Sequence, residues 1–125
     1  MNTDDVQTRL TEATSLNGAK VEVQHPGAPW NSKIVIRMFV DDDSAEAVAE
    51  NVREVAAFAA DEPSLDGQPL TLMAIVGTPD DFPNGDGLSV AGVKVMGSVS
   101  RIVGGVGTEE ILELSAADVR RLADE

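Results

Sequence analysis

His25 is the only histidine in the chain, so a Ser-His-Asp triad or a histidine general base would have to be built on it. It stands beside Pro26, and no nucleophile-elbow sequence occurs elsewhere. A loop histidine with a structural hydrogen bond or a solvated ring is the simpler reading. There is no cysteine, which removes disulfides, thiol catalysis and cysteine-based zinc or iron–sulfur sites.

Carboxylates are the abundant reactive groups. Asp41, Asp42 and Asp43 run consecutively, and clustered carboxylates can hold Mg²⁺ or Ca²⁺. Neighbouring strand residues point to opposite faces, however, and Asp43 has a sufficient task as a helix cap. Residues 80–87 contain Asp80, Asp81 and Asp86 among prolines and glycines. Aligned on a calcium loop, this segment puts Phe82 where the first carboxylate belongs and Val93 where the closing glutamate belongs. A turn-rich loop fits better. Gly104-Gly105-Val106-Gly107-Thr108 lacks the Lys-Ser/Thr ending of a phosphate loop, and Glu109 and Glu110 follow it. No metal and no cofactor are expected.

Lys33 and Arg37 share one face of a strand with Val35 and Phe39. On so acidic a chain they are expected to form internal ion pairs; the competing role is to hold an anionic ligand on an open sheet face. Trp30, the single tryptophan, reads as a core lid or as a binding anchor. The candidate ligand or partner contacts are therefore His25, Trp30, Lys33, Arg37, Asp80, Asp81 and Asp86.

The elements that must position these residues follow from periodicity. Residues 3–15 place Val6, Leu10 and Ala13 on one helical stripe, behind Asp4 and Asp5 at the positive end. Asn17-Gly18 stops that helix, and residues 20–24 alternate as a strand. Residues 33–40 form the clearest strand, with Ile34, Ile36, Met38 and Val40 on a wholly apolar face. Residues 44–60 carry Ala45, Val48, Ala49, Val52, Val55, Ala56 and Ala59 on a helical stripe. Asp43 and Glu46 have capping-box spacing at its start. Residues 70–76 are nearly all apolar, as in a strand covered on both faces, and this strand should be central.

Beyond residue 88 the apolar parity shifts, and glycines recur at 92, 97, 104, 105 and 107. Strands at about 89–96, 99–103 and 109–114 are expected, with turns near Gly97-Ser98 and Gly104–Gly107. Ser115 and Asp118 have the capping-box spacing for a last helix carrying Val119 and Leu122. The fold class is α+β: a two-layer sandwich whose mixed sheet has one strand–helix–strand unit and a C-terminal antiparallel meander, with the helices packed on the sheet. One domain covers residues 1–125.

The formal charge is −13, with 12 acids against 5 bases in residues 1–62 and 10 against 4 in residues 63–125. Such an even acidic excess opposes nucleic acid and anionic membranes and suits a basic protein partner. The first residues lack a basic region followed by an apolar stretch, so no signal peptide is expected and a cytoplasmic location follows. The leading functional reading is a non-enzymatic protein-interaction module, of adaptor or toxin-neutralising type. The alternative is a small-molecule-binding domain or modest enzyme using residues 25–32 and 77–88. A further alternative is a domain of an exported or lipid-anchored assembly. Homodimerisation, if it occurs, is expected through an antiparallel edge in the second half of the chain.

Overall fold

Two strands with a helix between them anchor the molecule. The computed structural model describes residues 3–24, 33–63, 65, 67–78, 80 and 93–124. Strand β2 spans Lys33–Val40, helix α2 Ala45–Asp61 and strand β3 Leu70–Val76. β2 and β3 pair in parallel, with Val35 opposite Thr71 and Phe39 opposite Ile75. Before this unit come helix α1, Thr3–Ala13, and strand β1, Gly18–Gln24, antiparallel to β2. After it come helix α3, Met96–Val103, strand β4, Val106–Gly107, strand β5, Leu112–Leu114, and helix α4, Ala116–Ala123. The sheet order is β1-β2-β3-β5-β4, which makes β3 central as the apolar run 70–76 requires.

The core lies on one face of this sheet. Ile34, Ile36, Met38 and Val40 of β2 join Leu70, Leu72 and Ala74 of β3 in a single cluster with the inward faces of all four described helices. The α2 stripe Val48, Ala49, Val52, Val55, Ala56 and Ala59 is fully buried, and its alanines let the helix sit close. Each larger side chain on that stripe contributes about 1.5–3 kcal/mol by leaving water. On the opposite face Val35, Phe39 and Ile75 are also buried, outside that cluster, so this face is less solvated than its Lys-Val-Arg-Phe alternation suggests.

The expected cap of α2 moves by one residue. Ser44, in extended backbone, is the N-cap, and its hydroxyl accepts the Ala47 amide at 3.3 Å. Asp43 is exposed, while the Ser44 amide donates to Asp42 Oδ1 at 2.8 Å. The α4 cap is as its spacing implies: Ser115 Oγ accepts the Asp118 amide and Asp118 Oδ2 accepts the Ser115 amide, both at 3.1 Å.

The larger correction concerns residues 96–103. They form a helix, where the end of a strand at about 89–96, a turn at Gly97-Ser98 and a strand at 99–103 were expected; residues 93–95 are not a strand, and residues 89–92 lie outside the described residues. Met96, Val99 and Val103 recur at helical spacing and are all buried. The apolar-parity shift between Val90 and Val93, read as a bulge, precedes this helix, and Val90 lies outside the described residues. Gly97 costs about 1 kcal/mol of helix propensity, and burial of three large apolar side chains outweighs it. Of the preceding segment, Val93 lies against the sheet and donates to Ala74 O at 2.9 Å. The antiparallel C-terminal pairing is present but shorter than expected: β4 pairs with β5, and β5 with β3.

Gly104 and Gly105, at φ +90° and +83°, turn the chain from α3 into β4. A Cβ at Gly107 would strike the Met96 carbonyl and the Ser100 side chain, so glycine here lets β4 pass against α3.

Candidate functional site

The register of the sheet collects the polar groups that the core face excludes. Val35, Thr71, Glu113 and Val106 lie in one cross-strand row on the face away from the main core. Lys33 lies two residues before Val35 on the same strand face. With Pro69, Ser115 and Asp118, the residues Lys33, Thr71, Glu113 and Val106 line an open cleft of about 410 Å³ at the amino ends of β2 and β3.

The charges in this cleft are unevenly satisfied. Lys33 is half-buried and Glu113 exposed, and among the described residues neither makes an ion pair within 4 Å. Thr71 is 6% exposed as a residue, and its hydroxyl is not among the buried side-chain atoms left without a partner. Asp118 is already engaged by the Ser115 amide and stands 3.5 Å from Arg121. Its carboxyl is held below the usual carboxylate range, first by the Ser115 backbone hydrogen bond and then by the Ser115 hydroxyl and Arg121.

Arg37 takes the ion-pairing role that its acidic setting implies. Its Nη1 lies 2.7 Å from Glu22 Oε1 on the neighbouring strand. Its Nε is buried without a hydrogen-bond partner among the described residues. Lys33 and Arg37 thus part company: one is consumed by a cross-strand pair and the other faces the cleft. Elsewhere, Arg9 grips the buried Glu62 through two hydrogen bonds of 3.0 and 2.9 Å, which raise the guanidinium's pKa.

A second polar region occupies the carboxyl ends of β2 and β3. Asn17 Nδ2 donates to Asp41 Oδ1 at 2.7 Å and to Gly77 O at 2.9 Å, tying the two strand ends together. Asp41, Asp42, Asp43 and Glu46 are all exposed there, and none forms an ion pair among the described residues. Asp80, three residues past Gly77, is exposed as well. Among the described residues no group of three His, Asp or Glu side chains is placed to hold a metal ion.

His25, Trp30, Asp81 and Asp86 lie outside the described residues. Thr71, Glu113 and Asp118 were not singled out as ligand contacts by sequence reasoning. Thr71 carries the one available signal, a lone hydroxyl in an otherwise apolar strand. Glu113 and Asp118 reach Lys33 only through the pairing of β3 with β5. No helix among the described residues is long and apolar enough to cross a membrane. No protein-family model matches the chain, and no match is found among curated proteins or solved structures.

Proposed function

We propose that the chain is a non-enzymatic interaction module, of the adaptor or toxin-neutralising kind, that binds a protein with a basic surface. The observation that carries this reading is the exposed carboxylate group at the carboxyl ends of β2 and β3. Asp41, Asp42, Asp43 and Glu46 project from a strand end and the first turn of α2. The Asn17 amide donates to the Asp41 carboxylate and to the Gly77 carbonyl, which fixes the Asp41 side chain beside the end of β3. Four like charges at one end of a molecule of net charge −13 steer a cationic partner and speed its encounter.

The test is a pull-down from native lysate at low and moderate salt. The natural chain is compared with a variant carrying Asp42→Asn, Asp43→Asn and Glu46→Gln. The expected result is a reproducible basic partner that the variant captures weakly and that salt releases. Absence of any reproducible partner, or equal capture by the variant, overturns the reading. A second reading, small-molecule binding, is favoured by a different observation, the cleft at the opposite end of the sheet.

A further inference from the structure

We infer that the cleft at the amino ends of β2 and β3 binds a small zwitterion of the α-amino-acid class. Lys33 and Glu113 line the same cleft, carry opposite charges and are not paired with each other or with another described residue. Their strands flank β3 on its two sides, which sets the two backbones about 10 Å apart. Thr71 stands on the strand between them and lines the cleft; as a residue it is 6% exposed, and its hydroxyl is not a buried atom left without a partner. Its hydroxyl offers both a donor and an acceptor to a ligand seated in the cleft.

One ligand chemistry satisfies all three groups at once. A carboxylate accepts from Lys33 Nζ and from the Thr71 hydroxyl, while an ammonium on the neighbouring carbon donates to Glu113. A simple anion would leave Glu113 opposed, with Asp118 adding to the repulsion. A simple amine would leave Lys33 opposed. Asp118 is a positioning residue here, because its carboxylate already holds the Ser115 amide at the start of α4. Val106, 66% exposed, lines the cleft and offers an apolar surface to the ligand's side chain.

The experiment is a titration of the full chain, followed by amide NMR shifts, with each of the common free α-amino acids. The best binder is then compared with its deaminated carboxylic acid and its decarboxylated amine. Saturable shifts at Thr71, Glu113 and Ser115 are expected, with each half-ligand at least tenfold weaker. Lys33→Gln and Glu113→Gln should each weaken binding at least tenfold. Thr71→Val, which keeps the side-chain volume, should weaken it with the spectrum outside the cleft unchanged. Lack of saturable shifts with every amino acid overturns the inference, as does equal binding of the half-ligands or full affinity in both charge variants. None of these outcomes bears on partner capture by the Asp42, Asp43 and Glu46 variant, so the two readings fail separately.

Discussion

Val52 and Glu50 sit two residues apart on α2 and behave oppositely. Val52 is fully buried against the sheet, whereas Glu50 is exposed beside Arg53. Val52→Asp puts a carboxylate among Ala49, Val55 and Ala56, which must shift its pKa or open the helix. A loss of about 3 kcal/mol or more is expected in chemical denaturation. Glu50→Gln removes an exposed pair of 3.5 Å separation and should change stability by less than about 0.5 kcal/mol. Equal melting temperatures would contradict the assigned helix face. Asp118 gives the pH-dependent counterpart. Its folded pKa lies below its unfolded value, so its stabilising contribution is complete above about pH 4 and is lost as pH falls through the folded value. Asp118→Asn should therefore flatten the acid limb of the stability profile, with a cost at neutral pH of about 0.5–1 kcal/mol from the weakened cap. Unchanged acid unfolding in the variant would contradict the assignment.

At the scale of elements, α3 is the piece whose type depends on its neighbours. Met96 faces the core and Ile102 is 42% exposed, six residues away on the same helix. Met96→Ala should cost about 2–5 kcal/mol and Ile102→Ala less than about 0.5 kcal/mol. A strand through this segment would give a different ranking, and backbone NMR shifts at residues 96–103 report the helix directly. Gly107 supplies an independent check on how α3 and β4 meet. Gly107→Ala must push the Met96 carbonyl and the Ser100 side chain apart, and about 1–3 kcal/mol of destabilisation is expected. A neutral Gly107→Ala would mean that the two elements pack less closely than described.

For the whole molecule the governing quantity is the net charge of −13. Self-repulsion among exposed carboxylates opposes the compact state and is screened by salt, whose Debye length falls from about 10 Å at 0.1 M to about 3 Å at 1 M. The melting temperature at neutral pH should therefore rise with added sodium chloride. A fall would show that ion pairs such as Arg37–Glu22 outweigh the repulsion.

Local order was written in the chain wherever a period had a single interpretation. The alternation over 33–40, the continuous apolar run over 70–76 and the helical stripe of α2 each specify an element because burying that pattern in any other conformation would expose it. The same logic located the cap of α4 from Ser115 and Asp118. It failed at residues 96–103, where Val99 and Val103 suit strand propensity as well as a helical stripe, and only packing against α2 selects the helix. It also misplaced the α2 cap, since Asp43 and Ser44 are both good caps and backbone geometry chose Ser44. The cleft was out of reach for a different reason. Lys33, Thr71 and Glu113 are separated by tens of residues, and nothing in their local spacing brings them together. The parallel register of β2 with β3 and the return of β5 to the far side of β3 make them neighbours, and those pairings are tertiary facts.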